Sequence, residues 1–282
     1  MVAAGRGGVR PGGAQDQRRQ VRQEGLAGAV GSRGPALGSR RRRIALGRSR
    51  SPRPGPPDSG SDGAMTVTRR LDIPSAGAVL EGVAHLPDGN PFGAVVVCHP
   101  HPLYGGDMDN HVVLALCEAA VEAGLAALRF NFRGTGRSTG SHDQGRAEQE
   151  DVLAALSQAA ALLGPHGGRL GVVGYSFGAV MAALAAPRAQ GVAALVLVSP
   201  PARALSAESL TAFPGPKLVL AGDMDQFAPA QELQQLALEA GENCELALVP
   251  GVDHFWWSSL RPAAARVAAF LRKHLAQQPP RG

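Results

Sequence analysis

Two serines in this chain each lie between a pair of glycines: Gly136-Arg-Ser138-Thr-Gly140 and Gly174-Tyr-Ser176-Phe-Gly178. A serine hydroxyl is a weak nucleophile at neutral pH unless a neighbouring base takes its proton. The Gly-x-Ser-x-Gly spacing allows a sharp strand-to-helix turn that lifts such a hydroxyl clear of a sheet. In a chain with 37 glycines the pattern alone says little, so the flanking residues decide. Ser176 follows the apolar run Leu170-Gly-Val-Val173 and precedes the Ala-rich stretch Ala179 to Ala186, a strand and then a helix. Ser138 leads into Thr-Gly-Ser-His-Asp-Gln-Gly, which is polar and has no helical period. Ser176 is the expected nucleophile and Ser138 a loop residue.

A base and an orienting acid should follow the serine in the order Ser, acid, His. Of eight histidines only His254 and His274 come after Ser176. His274 sits beside Arg272 and Lys273 in a terminal amphipathic stretch and reads as solvated surface. His254 follows the strand-like run Glu245 to Val249, so it lies at a strand's carboxyl end, as Ser176 does. The run Lys217 to Ala221 leads into Gly222-Asp-Met-Asp225-Gln-Phe-Ala-Pro229. Asp225, a little beyond the strand, can turn back to an imidazole. Asp223 is the expected turn former, and Asp253, adjacent to His254, points elsewhere.

Acyl transfer also needs two N–H donors aimed at the developing oxyanion. One is the main-chain N–H of Phe177. The other belongs to the loop after the apolar run Gly93 to Cys98, which reads His99-Pro-His101-Pro-Leu103-Tyr104-Gly-Gly-Asp107-Met-Asp109-Asn110. Pro100 and Pro102 lack an N–H, which leaves His101 first, with Leu103 or Tyr104 behind it. Leu103, Tyr104 and Trp256 are the expected substrate contacts, with core packing as the alternative for at least one of Trp256 and Trp257. His99, His101, Asp107, Asp109 and His111 could instead hold a metal. The prolines restrain these histidines and a Ser-His-Asp triad needs no metal, so neither metal nor cofactor is expected. His99 is expected to hydrogen-bond the loop around Arg133, with Arg133 and Asp151 tying loops together.

The His-Pro-His-Pro-x-Tyr-Gly-Gly-x-Met-x-Asn stretch resembles a branch of the α/β-hydrolase superfamily made up of small, lidless, bacterial-type hydrolases. The resemblance continues through Arg129-Phe-Asn-Phe-Arg133-Gly-x-Gly-x-Ser138, Gly174-Tyr-Ser176-Phe-Gly178, Asp225 and Asp253-His254-Phe255. It spans nearly all of residues 67–275 and none of 1–64. It implies a capless α/β-hydrolase with esterase-like activity. The expected function is a serine carboxylesterase that cleaves small acyl esters through an acyl-enzyme. A peptidase or C–C hydrolase with the same triad, or a non-catalytic binding protein on this fold, are the alternatives. The expected partner is a small ester or amide substrate, and no oligomer is specified.

The elements that must carry these residues alternate between short β-rich and longer helical runs. Expected strands are 93–98, 126–132, 169–173, 192–198, 217–221 and 245–249; expected helices are 110–123, 144–163, 177–186, 230–240 and 263–276. Such alternation implies a mostly parallel sheet covered on both faces, with the ligand beyond the strands' carboxyl ends. About 18 residues join the strand ending at Val198 to the one starting at Lys217, too few for a helical cap.

Composition divides the chain. Residues 1–64 hold 13 arginines and four acids, a net +9, which leaves −4 for residues 65–282 out of the whole-chain +5. The front stretch is rich in Gly, Pro, Arg and Ser and has no aromatic residue. It is expected to be a disordered extension, a transit segment or a mis-assigned start ahead of Met65. Its Arg40 to Arg43 run makes it the one part suited to nucleic acid; the acidic remainder is not. No apolar run of about 18 residues suggests a membrane span. Cys98, Cys117 and Cys244, an odd count without a close pair, fit free thiols in the cytoplasm.

Overall fold

The computed structural model describes residues 67–276. The expected disordered extension at 1–64 lies outside the described residues. Eight strands run in the order β1(Val67–Ser75), β2(Ala78–Leu86), β3(Gly93–Cys98), β4(Ala126–Phe130), β5(Arg169–Tyr175), β6(Val192–Val198), β7(Lys217–Gly222) and β8(Cys244–Val249). Among the described residues the six α-helices are α1(His111–Glu122), α2(Glu148–Leu162), α3(Phe177–Ala185), α4(Ala207–Thr211), α5(Ala230–Glu239) and α6(Leu260–Leu275). In the sheet the order is β1-β2-β4-β3-β5-β6-β7-β8. The β1–β2 and β2–β4 pairs are antiparallel and all others parallel. This is the mostly parallel, doubly covered α/β-hydrolase sheet the sequence implies.

The parallel strands are apolar throughout because both faces are covered. Every residue of β3 and β7 is buried. One core layer joins alternate strand residues such as Val96, Val172 and Leu197 to α2, α3 and α5 through Val152, Ala182 and Leu233. The other joins Val95, Val173 and Val196 to α1 and α6 through Val113, Leu116, Val267 and Leu271. Burying each such Val or Leu contributes about 1.5–3 kcal/mol relative to exposure.

Several boundaries differ from expectation for physical reasons. The β1–β2 hairpin is absent from the expected strands. It turns through Ala76-Gly77, with Gly77 at φ 73°, and β1 exposes most of its residues, so no apolar run marks it. Helix α2 starts at Glu148, not 144, because its first carboxylate folds back on the N–H groups of Asp143 (2.7 Å) and Gly145 (2.9 Å) and holds that segment as a turn. Helix α1 begins at His111 with Asn110 as cap, its side chain accepting the Val112 N–H at 3.0 Å.

Beneath the carboxyl end of the sheet the buried Arg133 guanidinium grips Asp151 twice, Nε to Oδ2 at 3.0 Å and a terminal nitrogen to Oδ1 at 2.7 Å. Asp151 also accepts the Arg133 N–H at 3.0 Å and the Ser75 hydroxyl at 2.7 Å. One carboxylate thus joins the β1–β2 turn, the loop after β4, and α2. Removing it in Asp151→Ala strands a buried guanidinium. Urea unfolding is expected to show a loss of about 3–5 kcal/mol, and Arg133→Met with Asp151→Leu should recover much of that loss.

Candidate active site

Strand β5 ends at Tyr175 and α3 starts at Phe177, leaving Ser176 alone between them at φ 54°, ψ −117°. A non-glycine residue in that region is strained and must be held there by its surroundings. Two glycines make the hold possible. A Cβ at Gly174 would lie 2.2 Å from the Gly178 carbonyl oxygen, and one at Gly178 would lie 2.4 Å from that of Cys98. The turn of β5 into α3 and the end of β3 therefore meet main chain to main chain.

Over this turn lies the loop after β8. The Ser176 hydroxyl donates to His254 Nε2 at 3.0 Å, and the His254 Nδ1 proton faces both Asp225 oxygens at 3.0 and 2.9 Å. Strand β6 lies between β5 and β7, so Asp225 and His254 reach back across it from the β7 and β8 ends. Asp225 Oδ1 also accepts the N–H groups of Phe227 (2.9 Å) and Ala228 (3.0 Å). Burial works to raise the Asp225 pKa. The hydrogen bond and charge of His254, a hydrogen bond from Ser199 and the Phe227 N–H outweigh it and hold the carboxyl below its ordinary range.

The loop after β3 closes the other side. His101 caps the short turn Pro102–Tyr104, and its ring lies 4.7 Å from that of Phe177. The Leu103 N–H is used on His101 Nδ1 at 3.2 Å, and the Tyr104 N–H on the His101 carbonyl at 3.1 Å. The His101 and Phe177 N–H groups donate to no protein acceptor among the described residues. The two reserve candidates are thus occupied, while the His101 and Phe177 N–H groups remain unused. Geometrically, the arrangement can move a proton from a hydroxyl to an imidazole and offer N–H groups to a nearby anion.

Residues 94–269 match the alpha/beta hydrolase domain family. The chain belongs to this family. An uncharacterized protein of Rickettsia prowazekii is 32% identical over 169 residues, covering 57% of this chain and 71% of that protein. Among solved structures, a lidless α/β serine hydrolase of Xanthomonas campestris is 29% identical with a TM-score of 0.65, covering 76% of this chain and 97% of that one. An α/β serine hydrolase homologue of Coxiella burnetii is 30% identical with a TM-score of 0.61, covering 73% and 96%.

In this α/β-hydrolase Trp256 does not face the site, contrary to the substrate contact expected of it. It is 1% exposed within the core layer of α1 and α6, and its indole N–H donates to Ser199 Oγ at 2.9 Å. At φ 58° its backbone turns the ring under the loop and leaves Trp257, 77% exposed, stacked on His111 at 4.7 Å. Leu103 and Tyr104 are 69% and 68% exposed, open to solvent beside His101. Asp223 is no simple turn former: its Oδ1 accepts the Gly251 N–H at 2.7 Å and ties the Asp225 loop to the His254 loop. Ser138 Oγ is buried, donating to the Asn131 carbonyl and accepting the Glu81 N–H, a structural bridge.

Sequence reasoning missed Ser199 and Tyr175. Ser199 links Trp256 to Asp225. The Tyr175 hydroxyl donates to the His254 carbonyl at 2.8 Å and anchors the histidine's main chain. The candidate metal ligands are spent elsewhere. His99 Nδ1 donates to the Pro100 carbonyl at 2.6 Å while Nε2 accepts the Phe132 N–H at 3.0 Å. His111 Nε2 meets the Phe255 carbonyl, and Asp109 pairs with Arg129. Among the described residues no group of three His, Cys, Asp or Glu is placed to hold a metal ion.

Burial pushes the His99 pKa down to about 4, partly offset by the Pro100 bond and deepened slightly by His101. The neutral ring holds the native fold, whereas the unfolded chain takes up a proton near pH 6.5. Its contribution to stability is complete above that pH and is lost as pH falls toward about 4. His99→Gln can keep both hydrogen bonds without titrating. Denaturant unfolding is expected to show the wild type losing on the order of 3 kcal/mol more than His99→Gln between pH 6.5 and 4.

Proposed function

We propose that this α/β-hydrolase is a serine carboxylesterase that cleaves small acyl esters through an acyl-enzyme on Ser176. The observation that carries the reading is the unbroken Ser176–His254–Asp225 hydrogen-bond relay, with Oγ to Nε2 at 3.0 Å and Nδ1 to Oδ2 at 2.9 Å. Ser176 Oγ attacks the acyl carbonyl while His254 Nε2 takes its proton. The oxyanion is met by the Phe177 and His101 N–H groups, and the imidazolium returns the proton to the departing alcohol. Water, deprotonated by the same imidazole, then attacks the acyl-enzyme and frees the acid. Asp225 holds the Nδ1–H tautomer and stabilises the imidazolium without itself being protonated. The likeness to the lidless Xanthomonas campestris serine hydrolase supports the serine as nucleophile.

Small acyl esters are favoured over long lipids because the β6–β7 connection supplies only a single 3-10 turn and the five-residue α4, too little to roof Ser176 with a helical cap. Three free thiols, Cys98, Cys117 and Cys244, favour a reducing compartment such as the cytoplasm. No helix among the described residues is long and apolar enough to cross a membrane.

A fluorophosphonate probe is expected to label the wild type and Ser138→Ala but not Ser176→Ala. On short-chain p-nitrophenyl esters, Ser176→Ala should lose at least ~10³-fold in kcat, and Asp225→Asn about 10⁴-fold with its fold intact. Label retained in Ser176→Ala overturns the assignment. Hydrolysis of an anilide panel with p-nitrophenyl esters untouched overturns the esterase reading in favour of amide cleavage.

A further inference from the structure

Among the described residues three aromatic side chains pack on the His254 imidazole: Tyr175 at 5.7 Å, Phe227 at 4.8 Å and Phe255 at 5.7 Å between ring centroids. Tyr175 is buried in the core layer beneath, with its hydroxyl on the His254 carbonyl. Phe227 and Phe255 are 51% and 47% exposed, so the solvent side of the histidine is bordered by two phenyl rings. They come from different loops, Phe227 from the one after β7 and Phe255 from the one after β8. Met224 and Trp257, on the same two loops, are exposed as well.

The main chain at each phenyl ring is pinned. The Phe227 N–H donates to Asp225 Oδ1 at 2.9 Å, the Phe255 N–H to Asp253 Oδ1 at 3.0 Å, and the Phe255 carbonyl meets His111 Nε2 at 2.9 Å. None of these bonds uses the phenyl group, so the main-chain supports of the triad do not require an aromatic side chain at either position. Leaving half of such a ring in water forgoes hydrophobic stabilisation in proportion to the area left uncovered. Two half-covered rings from separate loops, meeting at one imidazole, make an apolar surface suited to an apolar group.

The chemistry decides which part of a substrate lies there. In acyl transfer His254 Nε2 hands its proton to the oxygen of the departing alcohol, so the carbon chain on that oxygen lies against whatever borders the imidazole. Loops 222–229 and 250–259 contain no lysine or arginine to pair with an anionic alcohol group. Their carboxylates are engaged: Asp225 with His254, Asp223 with the Gly251 N–H, and Asp253 with the Phe255 and Trp256 N–H groups. We infer that Phe227 and Phe255 form the leaving-group subsite and select esters whose alcohol part is uncharged and apolar, an aryl or branched alkyl group. This deepens the ester-hydrolase reading and rests on it for the protonation step; binding of the alcohol part is measurable without turnover.

Calorimetric titration of full-length Ser176→Ala with three acetates holds the acyl group constant: neohexyl acetate, its isosteric cation acetylcholine, and the polar methoxyethoxyethyl acetate. Neohexyl acetate is expected to bind at least ~10-fold more tightly than either of the others. Adding Phe227→Ala or Phe255→Ala should weaken it by roughly fivefold or more, whereas Phe227→Leu, which keeps apolar bulk, should retain most of the affinity. With Ser176 intact the same order is expected in kcat/KM, and each alanine variant should shrink the ratio of neohexyl to methoxyethoxyethyl acetate by a similar factor. Equal or unmeasurable binding of all three acetates, tighter binding of acetylcholine, or alanine variants that leave the ratio unmoved overturns the subsite. A preference intact in Ser176→Ala, with no acetate hydrolysed by the wild type, overturns the ester-hydrolase reading alone.

Discussion

The structure turns on a steric constraint: at the end of β5 the chain reverses so tightly that main chain touches main chain. Gly174 lies against the Gly178 carbonyl, and Gly178 against those of Cys98 and His99. Ser176 is left in a positive-φ conformation that it would not adopt in isolation. The energy holding it there comes from the buried strands on either side and from α3, whose buried alanines let the helix sit close to the sheet. That proximity brings the start of α3 against the loop after β3, with the His101 and Phe177 rings 4.7 Å apart. A strained serine, its helix and a loop from β3 are one packing solution.

The loops bearing His254 and Asp225 are held less by their own sequence than by cross-ties between them. Gly222 passes so close to the Val252 carbonyl that no side chain fits, the Met224 N–H donates to that same carbonyl, and Asp223 bonds Gly251. From below, Tyr175 fixes the His254 carbonyl and Trp256 fixes Ser199. Such outer partners matter because an imidazole displaced by one ångström loses the alignment that proton transfer requires. The Asp225 carboxyl is held below its ordinary pKa range in a buried place since His254 Nδ1 and the Phe227 and Ala228 N–H groups are aimed at it.

The parallel core and the positions of Ser176, Asp225 and His254 were legible because they depend on signals local in sequence: continuous apolar runs, and polar residues just past them. Other features depend on contacts between distant segments. The β1–β2 hairpin exposes most of one strand and includes Arg69-Arg70, so its hydrophobic alternation is too weak to mark a strand. The start of α2 was misplaced by four residues because the Glu148 carboxylate caps a turn that Gln144, at φ 54°, already interrupts. An aromatic beside a histidine can wall a pocket or fill a core, and only packing against α6 assigns Trp256 to the second. Ser199 and Tyr175 have no sequence mark, since their partners come from other strands.

Between β6 and β7 the chain spends residues 199–216 on a short turn and the five-residue α4. Among the described residues the β6–β7 connection supplies no cap over Ser176, so on the proposed ester-hydrolase reading that connection imposes no opening step on turnover. On the proposed acyl-enzyme reading, the same openness would admit acceptors other than water. An acyl group held on Ser176 would stand within reach of any dissolved alcohol, and transfer to that alcohol would compete with hydrolysis in proportion to its concentration.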